Sequence, residues 1–199
     1  MSAPNLTKSL DHLFISKVRI KSLKYFIFNP DIPIHLRGLV RELKEEINAV
    51  RRELTRLDEI GFIKSETRGN RKYFLLNREY IFLPELLSLF HKTFGLGGLL
   101  IKNAEHLGEV EYIALTGTLI NFQPPNPNII DLIVVGQIDL GVLGDLVHES
   151  EKKLNREINY TVMKSSEFVL KKKRRDAFIM QMLTTNKIML KGNVEEFAA

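Results

Sequence analysis

The sequence predicts an α+β protein built from two domains of different character. In the first half, apolar residues recur at three- and four-residue steps, the spacing of helices that bury one face. A Gly-Asn turn between two short β-type runs then indicates a β-hairpin. In the second half, apolar runs of strand length alternate with helical ones, which favours an α/β layer with a small mixed sheet.

Composition excludes several classes of site. The 199 residues contain no Cys, which excludes disulfides and thiolate metal sites, and the five His show no ligand spacing. We therefore expect no metal and no cofactor. Residues 1–9 lack the apolar core of a signal peptide, and no later run reaches the roughly 20 apolar residues of a membrane span. These features favour a soluble cytoplasmic protein that does not enter a membrane.

The excess of positive charge belongs to the first half of the chain. Residues 1–94 hold 17 Lys and Arg against 11 Asp and Glu, a net charge of +6, whereas residues 95–199 hold 12 against 13, a net charge of −1. Such an excess suits a polyanionic partner, and ordinary solubilising charge is the alternative. We expect nucleic-acid contacts, if present, in the first half.

Three helices are predicted before the hairpin. After a short polar tail, the first helix spans about residues 16–28 and ends before a proline, which disfavours helix at the preceding residue. A short extended segment at 32–35 leads to a second helix over 36–43, and residues 44–46 form the turn into the third. Gly61 ends the third helix, since glycine adopts the left-handed cap without a Cβ penalty.

The third helix has the chemistry of a DNA-recognition helix. One stripe is apolar and is expected to be buried: Ile47, Val50, Leu54, Leu57 and Ile60. The opposite face carries side chains that donate to phosphates and to the acceptor edges of bases. These candidate DNA-binding residues are Asn48, Arg51, Arg52, Thr55 and Arg56.

A basic hairpin follows this helix. We predict strands over 62–65 and 71–76 joined by a turn at 67–70, because Gly69 and Asn70 both tolerate positive φ. The tip adds four candidate contacts to DNA phosphates: Arg68, Asn70, Arg71 and Lys72. The alternative is a hairpin whose tip is merely solvated.

Three segments of the first half carry a family resemblance: Leu36–Leu43, Val50–Leu54 and Arg68–Phe74. With the order helix, short strand, helix, turn, helix and hairpin, they resemble the winged helix-turn-helix domain of ArsR-like bacterial regulators, over residues 14–94. The resemblance implies a regulator that binds double-stranded DNA, with the third helix in the major groove and the hairpin as a wing on the backbone. The turn departs from the family, with Lys44 where many relatives have glycine.

A helix predicted over Tyr80–Phe94 links the two halves. In the resembling regulators the equivalent helix often packs against a second subunit, which implies a homodimer. A contact between the two domains of one chain is the alternative. Three glycines in residues 95–98 then predict a break and a hinge, so the predicted domains are 1–94 and 95–199.

The second half is predicted to alternate between strands and helices. Helices are expected over 99–107, 140–156, 166–175 and 177–183, and strands over 110–116, 129–135, 159–163 and 187–190. Residues Lys171–Arg175 form its strongest run of charge. We expect a solvated helix face there, and contact with DNA phosphates or an anionic ligand is the alternative.

A Gly-Thr pair after the first of these strands and an aspartate on the second, Gly117, Thr118 and Asp131, resemble the minimal nucleotidyltransferase domain of the polymerase-beta-like superfamily. In active members, two alternating carboxylates on the second strand hold the divalent metals of phosphoryl transfer. Ile129 stands where the first carboxylate is needed. We therefore expect a catalytically inactive domain with only vestigial nucleotide binding at these three residues, in which Asp131 bonds to backbone or water.

These features together predict a DNA-binding transcriptional regulator and not an enzyme. The second domain would sense, assemble or recruit, with a nucleotide or a protein as its partner. Two alternatives stay open from the residues alone. One is a nucleotidyltransferase that acts on a protein or small molecule, and the other is a protein-interaction module whose winged domain has lost DNA binding.

Overall fold

The computed structural model describes residues 6–124 and 126–198 and has a mixed α+β fold. The chain separates into two compact units that divide between Phe90 and His91, four residues before the predicted boundary. Within the described ranges, no helix is long and apolar enough to cross a bilayer.

The first unit is mainly helical and carries one small sheet. Its elements are α1 (Leu6–Phe14), α2 (Lys17–Phe28), β1 (Ile34–His35), α3 (Leu36–Leu43), α4 (Ile47–Glu59), β2 (Ile63–Arg68), β3 (Arg71–Leu76) and most of α5 (Leu83–Thr93). The predicted polar tail is wrong for residues 6–14, which form α1. This segment is an amphipathic helix that buries Leu10. Because polar residues flank Leu10 in the sequence, the segment was interpreted as a polar tail. Residues 1–5 of that predicted tail lie outside the described chain.

The sheet of the first unit has the strand order β1-β3-β2, with both pairings antiparallel. Arg68 pairs with Arg71, so the turn contains only Gly69 and Asn70 and is shorter than the predicted one. Gly69 has a φ of +61°, whereas Asn70 does not adopt positive φ. Glycine at the first central position is the pattern of a type II′ turn, whose twist matches that of the flanking strands.

Both ends of α4 are fixed by local hydrogen bonds. The Glu46 side chain accepts from the backbone N–H of Ala49 at 2.9 Å and caps the N-terminus. At the C-terminus, Gly61 has a φ of +77°, and the N–H of Phe62 donates to the carbonyl of Leu57. That 6→1 bond, together with the bond from Gly61 N–H to the carbonyl of Asp58, makes a Schellman motif.

The turn before α4 contains a left-handed lysine. Lys44 has a φ of +54° at the C-cap of α3, the conformation that glycine adopts at lower cost. Lys44 therefore ends α3 in the conformation of a left-handed helix C-cap, although it is not a glycine.

The second unit contains a small mixed sheet covered by helices. Its elements are α6 (Gly95–Lys102), β4 (Gly108–Leu115), α7 (Gly117–Ile120), β5 (Leu132–Ile138), α8 (Leu140–Leu154), β6 (Tyr160–Met163), α9 (Ser165–Lys173), α10 (Ala177–Thr184), β7 (Ile188–Lys191) and α11 (Val194–Ala198). The strand order is β6-β5-β4-β7, with β5 and β6 parallel and the other pairs antiparallel.

Two predictions in this unit are partly wrong. The predicted break is present at Phe94, but the helix predicted over 99–107 already begins at Gly95, so the glycines at 95–98 lie in the first turn of α6. Close packing accounts for Gly97, because a Cβ there would lie 2.1 Å from the carbonyl oxygen of His91. The predicted strand over 129–135 begins only at Leu132, so Ile129 lies in the preceding loop.

Candidate nucleic-acid interface

The outward face of α4 is formed as predicted. The five candidate residues of this helix are all exposed: Asn48, Arg51, Arg52, Thr55 and Arg56. Val50, Leu54 and Leu57 are buried, and Ile47 is half-buried. The prediction is wrong for Ile60, whose exposed fraction is 57%. The helix ends at Glu59, so Ile60 no longer continues the buried stripe.

A groove of about 680 Å³ lies between α4, the hairpin and the start of α3. Five of the predicted residues line it: Arg51, Thr55, Asn70, Arg71 and Lys72. The helix and the hairpin therefore present one continuous concave surface, not two separate patches. Its cationic side chains are of the type that bind backbone phosphates.

Arg37 is a cationic member of this groove that the sequence prediction missed. It is exposed in the first turn of α3, a helix whose apolar residues Leu39 and Leu43 are buried. His35 caps that helix, because the N–H of Gly38 donates to its Nδ1 at 2.8 Å. The apolar spacing of the second predicted helix already places Arg37 on its outward face, which is the signal in the sequence for this residue.

The other predicted residues of α4 do not line the groove. Asn48 uses its side-chain oxygen to accept from Nη1 of Arg51 at 2.9 Å, which holds Arg51 along the helix surface. Arg56 is displaced toward Glu53, with Nη1 3.7 Å from Oε2. Arg52 is exposed outside the groove. These residues remain candidates for an extended duplex contact and are not part of the concave surface.

Arg68 is also separate from the groove. It forms an ion pair with Glu66 on its own strand, and its guanidinium lies 5.4 Å from the centre of the Tyr73 ring. His35 stacks on the same ring with a centroid separation of 5.5 Å. Arg68 thus stabilises the outer face of the hairpin, where its charge is partly neutralised.

Glu53 is a buried carboxylate that was not included in the predicted apolar stripe of α4. Its side chain is 3% exposed and accepts from Nε and Nη2 of Arg19 at 2.7 and 3.4 Å. The hydrogen bond to Glu53 raises the pKa of Arg19 above its usual value. The pair attaches α4 to α2, so it sets the position from which the outward face of α4 is presented.

The groove also contains acidic side chains. Oδ2 of Asp58 accepts from Oγ of Ser65 at 3.1 Å and from Nζ of Lys72 at 2.8 Å. Glu59 lines the same groove. Lys72 is therefore paired within the chain, whereas the side chains of Arg37 and Arg71 make no hydrogen bond or ion pair within the described residues.

In the second unit the structure brings Gly117, Thr118 and Asp131 together. Asp131 is fully buried just before β5, and its Oδ1 accepts from the N–H and Oγ1 of Thr118 at 2.9 and 2.6 Å. The N–H of Leu119 donates to the same oxygen at 3.2 Å. Gly117 has a φ of +59°, and a Cβ there would lie 2.4 Å from the carbonyl oxygen of Ile130.

Arg156 closes this cluster, and the sequence prediction did not include it. Its Nη2 donates to Oδ2 of Asp131 at 2.9 Å and to Oγ1 of Thr118 at 2.6 Å. The N–H of Asn159 is a further donor to Oδ2, at 3.3 Å. Both carboxylate oxygens of Asp131 are thus occupied by donors of the chain itself. Residues 6–124 and 126–198 contain no group of three His, Asp or Glu arranged to hold a metal ion.

The run Lys171–Arg175 is divided by the fold. Lys171 pairs with Glu167 at 2.9 Å, a hydrogen bond that raises the pKa of the lysine. Nζ of Lys172 donates to the carbonyls of Glu196 and Phe197 and so binds α11. The last three residues of the run are exposed, and the first two have structural partners.

Comparisons with known proteins give little similarity. No family model matches the chain, and no curated protein is similar to it. Among solved structures, a similarity is found to human N-acetylserotonin methyltransferase in complex with SAM, with 13% identity and a TM-score of 0.30. It covers 60% of this chain and 37% of that one, so this chain spans little more than a third of its length. A similarity at this level carries no conclusion about fold or activity.

Proposed function

We propose that the protein is a DNA-binding transcriptional regulator whose first unit is a winged helix-turn-helix of the ArsR-like kind. In this proposal α4 enters the major groove and the β2–β3 hairpin acts as the wing. One observation carries it: helix, hairpin and the start of α3 form one groove lined by Arg37, Arg51, Arg71 and Lys72.

The charge state of the groove supports a polyanionic ligand. Arg71 lies at the hairpin tip directly opposite Arg68, and like charges in that position destabilise a hairpin. Within the described residues, the side chain of Arg71 makes no ion pair, and the side chain of Arg51 is hydrogen-bonded only to the neutral side chain of Asn48. Phosphate contacts would neutralise these guanidinium groups and release the counterions that surround duplex DNA.

The second unit is proposed to sense or assemble and not to catalyse. The donors that fill both oxygens of Asp131 support this part, because metal-dependent phosphoryl transfer needs carboxylate oxygens free to bind the ions. A homodimer through residues 80–94 stays a prediction. The apolar stripe of α5 is largely buried within one chain, at Leu83, Leu87 and Phe90, so a dimer would need other residues as well.

The proposal is tested by the salt dependence of duplex binding. Fluorescence anisotropy of a labelled duplex gives the affinity across a salt series. Arg71→Ala should weaken binding and reduce the slope of log affinity against log salt by about one. Lys152→Ala removes the same charge from an exposed position in the second unit and should leave both quantities unchanged. Equal behaviour of the two variants would contradict the proposed interface.

A further inference from the structure

One carboxylate connects the helix to both strands of the hairpin. Asp58 lies in the last turn of α4, and its side chain is 27% exposed. Its Oδ2 accepts from Ser65 on β2 and from Lys72 on β3, at 3.1 and 2.8 Å. These three residues, here called the Asp58 clamp, hold the hairpin against α4.

The strand register explains why Lys72 meets Asp58. Side chains alternate along a strand, so Lys72 points to the same face as Phe74, which is buried. Nζ of Lys72 lies 5.3 Å from the centre of the Phe74 ring, so its stem follows the apolar inner face of the hairpin. Arg71, at the tip of the hairpin, also lines the groove. The lysine is thus directed into the groove, where Asp58 neutralises it.

A carboxylate at this position opposes the ligand that the groove is proposed to take. A backbone phosphate that approaches Lys72 is repelled by the negative charge of Asp58, which is already bonded to that lysine. To bind the phosphate, Lys72 must give up its ion pair with Asp58. A contact between Lys72 and phosphate alone therefore adds little to the binding free energy. Arg37 and Arg71 have no such internal competitor among the described residues.

We propose that Asp58 limits sequence-independent binding of duplex DNA by competing with backbone phosphate for Lys72. This inference rests on the proposed function and adds a regulatory element to the same groove. The clamp holds the wing in place when no duplex is present. A duplex whose bases also contact the exposed side chains of α4 compensates for the lost pair between Asp58 and Lys72. A duplex that contacts the chain through its phosphates alone does not.

The test compares Asp58→Asn with Glu59→Gln in the full chain. Each variant removes one negative charge from the groove lining, but only Asp58 is bonded to Lys72. The asparagine oxygen can still accept from Ser65, which favours a folded hairpin. Binding is measured by anisotropy with a duplex of arbitrary sequence across a salt series. The expected gain of Asp58→Asn is about threefold larger than that of Glu59→Gln, since exposed ion pairs are individually weak.

The same series gives a second readout. Freeing Lys72 adds one phosphate contact, so the salt slope of Asp58→Asn should be steeper by about 0.9 than that of Glu59→Gln. Adding Lys72→Met to Asp58→Asn should abolish both differences. Equal affinities and slopes for the two single variants, or a gain that survives Lys72→Met, would overturn the inference and leave DNA binding intact. Failure of the unaltered chain to bind any duplex would instead overturn the proposed function, and this inference with it.

Discussion

Removal of Arg19 should destabilise the first unit through the carboxylate that it leaves behind. Glu53 is 3% exposed, and after Arg19→Ala its nearest cation is Arg56 at 3.7 Å. Breaking a buried ion pair by removing one partner costs about 3–5 kcal/mol. The Arg19 side chain is 35% exposed, so water reaches the vacated position and lowers the penalty. We expect a loss of about 2 kcal/mol in the free energy of unfolding.

Urea denaturation followed by far-UV circular dichroism measures this loss. With a denaturant slope of about 2 kcal/mol per molar urea, the midpoint of the first unit should fall by about 1 M. Lys21→Ala is the matched control, since Lys21 lies on the same helix as Arg19 and pairs with Glu45, in the turn before α4, at a more exposed position. It should cost less than about 1 kcal/mol. Replacing Arg19 and Glu53 together by Leu and Met should restore most of the loss. An Arg19→Ala protein as stable as Lys21→Ala would refute the reasoning.

Two further predictions concern single buried groups. Burial lowers the pKa of His91 from its usual 6.5 to about 4. The unfolded chain therefore binds the extra proton first, and stability present above pH 6.5 should fall by up to about 3 kcal/mol as the pH drops towards 4. His91→Gln should flatten that dependence in denaturation curves at pH 7 and pH 5, and an unchanged slope would contradict it. Within the described chain, Oγ of Ser22 is buried without a hydrogen-bond partner, so Ser22→Ala should raise the free energy of unfolding by about 1 kcal/mol and with it the melting temperature. Ser16→Ala removes the cap of α2 and should lower the free energy of unfolding by about the same amount. Melting-temperature shifts of the same sign in the two variants would contradict these roles.

Local patterns predicted the helix and hairpin of the candidate interface because both are determined by neighbouring residues. The exposed face of α4 follows from helical spacing, and its end follows from Gly61, whose φ permits the Schellman motif. The hairpin follows from Gly69 in the same way. These are properties of neighbouring residues, so a single sequence contains them.

The parts that were missed depend on partners distant in the chain. Glu53 is a charged residue, of a type that is usually exposed on a helix. It can be buried because Arg19, 34 residues earlier, donates a hydrogen bond to its carboxylate. Arg156 reaches Asp131 from 25 residues away, which no spacing rule relates. Gly97 was interpreted as a hinge because its packing against the carbonyl of His91 is invisible in the sequence. Tertiary contacts, not local propensity, decide these positions.

The charged groove of the first unit was only half predicted for the same reason. Arg51 and Arg71 were assigned to the candidate interface from separate local patterns, and the fold brings them to one groove. The register also turns Lys72 inward to Asp58, while ion pairs draw Arg56 and Arg68 away. The direction of each side chain and its ion-pair partner distinguish the residues that line the groove from the other predicted DNA-binding residues. Both are known only from the folded structure.

Selection of duplexes from a random pool by the full chain tests the proposed DNA binding most directly. The predicted result is enrichment of a common sequence, with enrichment lost in Arg51→Ala, whose side chain lines the groove from α4. Lys152→Ala, which removes an exposed charge in the second unit, should enrich the same sequence as the unaltered chain. Failure to enrich any sequence, or equal enrichment by Arg51→Ala, would contradict sequence recognition by this helix.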